Sequence, residues 1–77
     1  MDLDEIRRHF EAGRLSEAVV EPSASANGWV LLFKVDHEQM VPLTDHAGQP
    51  KVYHSLEAAT KVARELGFQM VHVEEKF

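Results

Sequence analysis

The stretch Trp29-Val30-Leu31-Leu32-Phe33-Lys34-Val35 constrains this chain more than any other. Trp29, Leu31, Phe33 and Val35 alternate onto one face, as the two-residue period of a strand requires, and Val30 and Leu32 make the other face apolar as well. A strand apolar on both sides belongs inside a sheet, with neighbours on either edge. Lys34 and Asp36 mark the point where it should emerge. The rest of the chain must therefore supply partner strands and a roof.

The segments before it supply some of each. Leu3, Ile6 and Phe10 recur at helical spacing, Asp2 with Glu5 forms a capping-box pattern, and Gly13 is a natural stop, so a helix is expected to end near Ala12. Asp4 with Arg8 and Arg7 with Glu11 stand four residues apart, where charged side chains can pair. Glu17 to Glu21 reads as a strand closed by Pro22. The small, polar stretch from Ser23 to Gly28 then reads as a flexible hairpin loop.

After Val35, the run Asp36-His37-Glu38-Gln39 makes a tight turn and Met40 to Leu43 returns antiparallel. Pro42 lacks a backbone donor, which places that strand at an edge or a bulge. A second turn, Thr44 to Pro50, leads to a short strand at Lys51-Val52-Tyr53. Ser55 caps a second helix whose buried stripe is Leu56, Ala59, Val62, Ala63 and Leu66. Glu57 and Lys61 are placed to pair on its surface, and Gly67 in the αL conformation should end it. Phe68 to Glu74 forms the last strand, and the charged tail Glu74-Glu75-Lys76-Phe77 is expected to fray unless Phe77 docks. If that strand is parallel to the one before the second helix, the crossover should be right-handed.

The expected fold is thus α+β, in the order α-β-β-β-β-α-β, as one domain over residues 1–77, with both helices on one face of a mainly antiparallel sheet. A chain of 77 residues buries only about 60–65 % of its unfolded surface, so surplus apolar area has a physical use in self-association or partner binding. Trp29, opening a central strand, reads first as core, but Trp29, Met40 and Tyr53 at a sheet edge are also the kind of side chain that anchors such a contact.

Charge and composition narrow the function classes. Thirteen acidic residues against eight basic ones give a net charge of -5, which argues against non-specific nucleic-acid binding. Arg7, Arg8 and Arg14 are the one basic cluster that could touch a phosphate backbone. The acidic start, with no apolar run behind it, is the reverse of a secretory signal, and Trp29 to Phe33 is far too short to cross a membrane. With no cysteine either, a soluble cytoplasmic protein is expected.

His9, His37, His46, His54 and His72 invite a metal reading, but there is no cysteine and no His-x-x-x-His spacing to hold a tetrahedral site. Two histidines follow an aspartate, in Asp36-His37 and Asp45-His46, where turn chemistry explains the aspartate. An acid–base site would need those two turns to meet in a pocket. The glycines stand singly, so no phosphate-binding loop is present, and the serines lack a nucleophile motif. The expectation is a protein that is not an enzyme and takes no cofactor, metal or small molecule.

Gly28-Trp29-Val30-Leu31-Leu32-Phe33, Val41-Pro42-Leu43-Thr44 and Tyr53-His54-Ser55-Leu56-Glu57-Ala58-Ala59, followed by Leu66-Gly67-Phe68, resemble segments of small bacterial proteins carried on plasmids and integrated conjugative elements. Some of those proteins are labelled partition-associated. The shared features are structural: a tryptophan-led strand, a capped helix and a glycine stop. What the resemblance implies is a bacterial source and an accessory role in maintenance or regulation, with no catalytic residue to carry over. The leading expectation is a non-enzymatic accessory or protein-interaction module, with its own copy or another protein as partner. The alternative is a nucleic-acid-associated regulator using Arg7, Arg8 and Arg14.

Overall fold

The computed structural model describes residues 1–24 and 27–75, so Ser25 and Ala26 of the hairpin loop and the docking of Phe77 lie outside the described residues. Two helices and five strands follow one another as α1 (Leu3–Glu11), β1 (Leu15–Pro22), β2 (Trp29–Val35), β3 (Gln39–Pro42), β4 (Val52–Tyr53), α2 (Leu56–Leu66) and β5 (His72–Val73). This is the expected α+β order, and the sheet is mixed but mostly antiparallel.

β2 is interior, as its double-sided apolar pattern requires. β1 runs antiparallel along one side of it, from Glu17↔Lys34 to Pro22↔Trp29. Its other side is shared: β3 takes the end nearest Val35 and β4 the end nearest Trp29. Both are antiparallel to β2, and Leu43 N–H donates to the Leu31 carbonyl between them. β3 and β4 are therefore two pieces of one edge strand. Residues 44–50 leave it as an excursion closed by the Thr44↔Pro50 bridge. Pro42 does lie on that edge, where its missing donor costs no ladder bond.

Alternation sorts the side chains. Ala18 and Val20 of β1 lie beside Phe33 and Leu31 of β2, on the face that both helices cover with Ile6, Ala59 and Ala63. Trp29, Tyr53, Leu56, Val62, Leu66 and Phe68 pack around this core. Phe68 joins the layers: its ring centroid lies 5.0 Å from that of Phe10 on α1 and 5.5 Å from that of Phe33 on β2. Such aromatic contacts add to plain area burial.

The helix ends form as their residues dictate. Asp2 accepts from the Glu5 N–H at 3.0 Å while Glu5 accepts from the Asp2 N–H at 3.3 Å, closing the capping box. Ser55 Oγ accepts from the Ala58 N–H at 3.0 Å. α2 ends in a Schellman pattern, with Phe68 N–H on the Ala63 carbonyl and Gly67 N–H on that of Arg64. Gly67 itself sits at φ 124°, ψ 1°, positive but beyond the αL well that its position suggested. The surface pairs Asp4–Arg8, Arg7–Glu11 and Glu57–Lys61 do not close; among the described residues the ion pairs are Arg14–Asp36 and Lys34–Glu17, with His72 Nε2 3.7 Å from the Glu17 carboxylate.

One expectation for the chain's end needs correction. The last strand shrinks from Phe68–Glu74 to His72–Val73, because Phe68 is drawn under the helices and residues 68–71 serve as its approach. It is hydrogen-bonded in parallel to β1, through Val19↔His72 and Val20↔Val73, at the edge opposite β3. β4 shares its direction, but β2 and β1 lie between them.

A Cβ at Gly67 would meet the Phe10 ring at 2.6 Å, on top of the positive φ, whereas one at Gly13 (φ 74°) would meet nothing within 4 Å. Gly13→Ala is expected to cost about 1 kcal/mol, the backbone penalty alone. Gly67→Ala should cost clearly more, roughly 2–3 kcal/mol. Urea midpoints of the two variants check this, and equal losses would show that the Phe10 approach contributes nothing.

Candidate functional site

Both helices occupy one side of the sheet, so the other side has no covering layer among the described residues. The same alternation that buries Leu31 and Phe33 sends Val30, Leu32 and Lys34 to this side. Their cross-strand partners join them: Glu17, Val19 and Glu21 from β1, Met40 and Pro42 from β3, Val52 from β4. His72 of β5 lies beside Val19 and completes the row. The centre of this face is apolar and its margins are charged.

Neighbouring arms partly shield the apolar centre. Val19 is only 8 % exposed, and Val30, Leu32, Pro42 and Val52 are half-buried, whereas Met40 is 40 % exposed. Glu17 stands at the middle of a three-residue charge cluster, with Lys34 Nζ at 3.6 Å from one oxygen and His72 Nε2 at 3.7 Å from the other. A shallow groove crosses the face between Glu17, Val19, Leu32, Met40, His72 and Glu74.

The structure separates the anchor residues read from the sequence. Trp29 and Tyr53 are direct cross-strand partners, half-buried on the helix-covered side and packed against the core. Burial pushes the Tyr53 phenol up from its ordinary range, and Lys51 Nζ lies 5.7 Å from the ring centroid. Met40 alone of the three belongs to the uncovered face.

The arginine cluster does not stay free either. Arg14 forks onto Asp36, Nε to Oδ1 at 3.1 Å and Nη2 to Oδ2 at 2.6 Å, and its Nη1 lies 3.2 Å from His9 Nδ1. The guanidinium thus ties the end of α1 to the turn after β2, which the Asp36 N–H reinforces by donating to the Arg14 carbonyl at 2.9 Å. The Asp36 side chain is therefore not simply turn chemistry. Arg7 and Arg8 remain exposed on α1, a helix that also carries Asp4, Glu5 and Glu11.

Comparison with protein-family models, with curated proteins and with solved structures returned no match. The geometry alone therefore carries the remaining argument. The Asp36-His37 and Asp45-His46 turns flank β3 at opposite ends, so they form no common site. Asp36 and His37 take positive φ of 51° and 61°, and Glu38 N–H closes the turn on the Val35 carbonyl. Asp45 holds its own excursion by accepting from the Ala47 and Gln49 N–H groups at 2.9 and 3.0 Å. No three His, Asp or Glu among the described residues stand where they could hold a metal ion, and no helix there is long and apolar enough to cross a membrane.

The uncovered face was legible only in part. Its apolar strip follows from Val30 and Leu32, but the partners supplied by β1, β3 and β5 depend on register, which no single segment shows.

The Arg14 hydrogen bond, opposed by a little desolvation and helped by the charges of Arg14, His9 and His37, holds the Asp36 carboxyl below its ordinary range. A carboxyl depressed in the folded state stabilises that state above its unfolded pKa, about 3.9, and ceases to as pH falls through its folded pKa. Asp36→Asn is therefore expected to lower the urea midpoint near pH 7, with the deficit shrinking as pH falls below the unfolded pKa and vanishing once the folded carboxyl is protonated. A deficit that persists unchanged in acid would show that charge plays no part.

Proposed function

We propose that this chain is a small non-enzymatic interaction module that works through the uncovered face of its sheet. One observation supports the reading. Val19, Val30, Leu32, Pro42, Val52 and Met40 form a continuous apolar strip on the side of the sheet where the described residues supply no second layer. Sheets tend to bury such strips against another layer, and a domain that has placed both helices on one face leaves this strip available to a layer from outside. Met40 is the exposed anchor, and its flexible thioether suits contact with a varied surface. In the setting that the resemblance to plasmid and conjugative-element proteins implies, this would be an accessory to maintenance of the element rather than a component with chemistry of its own.

A photo-crosslinking residue in place of Met40 is expected to give one discrete ultraviolet-dependent adduct in cells of the source organism. The same residue in place of Lys61, on the exposed side of α2, should give none, and Leu32→Lys should abolish the Met40 adduct. Labelling at Lys61 equal to that at Met40, or an adduct indifferent to Leu32→Lys, would remove the sheet face from consideration.

The nucleic-acid reading draws on Arg7, Arg8 and Arg14, and the engagement of Arg14 by Asp36 leaves it a weaker patch than the sequence suggested. Titration with duplex DNA at about 20 mM salt is expected to show no saturable binding. Binding that is present there and lost near 200 mM would restore the regulator in place of the interaction module.

A further inference from the structure

We propose that the occupant of the uncovered sheet face is a cationic segment of another protein, with an apolar side chain over Val19, Leu32 and Met40 and its basic groups against Glu21 and Glu74. This rests on the reading of that face as an interaction surface, and it names the partner's chemistry.

The β1–β5 ladder carries the argument. Its pairs are Val19↔His72 and Val20↔Val73, and Glu74 N–H donates to the Val20 carbonyl at 2.9 Å. Continuing that register one step beyond the ladder sets Glu21 opposite Glu74, and both line the groove that Val19 and His72 also line. Like charges placed side by side across a ladder repel. Four residues earlier on β1 the chain resolves the same problem, because Glu17 is flanked by Lys34 and His72. Glu21 and Glu74 receive no cation among the described residues. The carboxylates border the apolar groove, of about 530 Å³, whose lining includes Val19, Leu32 and Met40. An apolar floor with unneutralised carboxylates at one end matches a segment that alternates basic and apolar residues.

The same charges disfavour a second copy as the occupant. A twofold contact sets one patch against itself, so each copy would bring its own excess of carboxylates, from a chain whose net charge is already -5. Complementary charge across an interface selects against that pairing as well as for a basic one.

The test uses the full chain and three synthetic probes: an acetylated, amidated peptide of alternating Lys and Leu, its Glu/Leu counterpart and its Lys/Ser counterpart. The Lys/Leu peptide is expected to shift the amide resonances of residues 17–21, 30–34, 40 and 72–74, and the other two should bind at least tenfold more weakly. Glu21→Gln with Glu74→Gln should weaken the Lys/Leu peptide by roughly tenfold, as the loss of two partly exposed charge contacts requires. Glu11→Gln with Glu65→Gln, the same change of charge on the helices, should leave its affinity within about twofold. Circular dichroism confirms that both double variants fold.

Equal weakening by the two double variants would mean that the peptide senses only the overall negative field, and the proposal falls. It falls also if the Lys/Ser peptide binds as well as the Lys/Leu one. If light scattering shows a dimer that Leu32→Lys dissociates, or if the Glu/Leu peptide binds this face best, the cationic partner is wrong while the interaction face stands. Resonance shifts confined to other surfaces, with no Leu32-dependent adduct at Met40, would sink both.

Discussion

Hydrogen bonding of β2 on both of its edges is the interaction on which the rest of the structure depends. β1 lies along one edge and the β3–β4 edge strand along the other, so β2 joins strands that make no ladder with each other. Its alternation also assigns the faces, because every partner inherits its side from the β2 residue opposite. Phe33 and Leu31 point to the side that the helices roof, and both are wholly buried. A change that slipped this register by one residue would send the core into water and Val30, Leu32 and Lys34 under the helices.

How much could be read without coordinates follows from where each signal resides. α1, β2 and α2 carry their periodicity and caps within a few consecutive residues, and they formed where those residues placed them. β5 was different. A two-residue strand has no pattern of its own, and whether it pairs beside β4 or beside β1 is decided by which edge of a finished sheet is open. The fork between Arg14 and Asp36 spans 22 positions, so neither residue advertises the other. Trp29 packs against the core as a residue opening a central strand should, whereas Tyr53 looked like a free anchor because its residue type is common in interfaces. Only the register shows that they face each other on the covered side.

The two edges of the sheet are protected unequally. Along β3, Pro42 has no N–H to offer, its carbonyl accepts from the Met1 amine at 3.5 Å, and the Thr44 N–H donates to the Met1 carbonyl at 2.7 Å. The outward backbone groups at Pro42 and Thr44 are thus occupied, and the 44–50 excursion breaks the edge before β4 resumes it. Short, interrupted and proline-bearing edges resist pairing with other chains. The opposite edge relies on brevity alone: β5 has two residues, with Met70 71 % and Val73 40 % exposed on or beside it.

That inequality bears on how the uncovered face keeps its apolar strip out of trouble. Glu17 and Lys34 reach across neighbouring strands toward each other, and His72 closes on Glu17 from the far edge. Long charged side chains of this kind cover apolar surface with their stems while their heads stay in water, which is why Val19 can be 8 % exposed with no helix above it. The cover works where acid meets base. It fails further along the groove, where Glu21 and Glu74 both line it and neither has a basic partner among the described residues, since two like charges do not draw each other across a gap. The sheet therefore has a sealed end and an open end on the same face, and the open end adjoins the less protected edge. A partner that supplies positive charge there would complete the pattern that the chain begins with Glu17, Lys34 and His72.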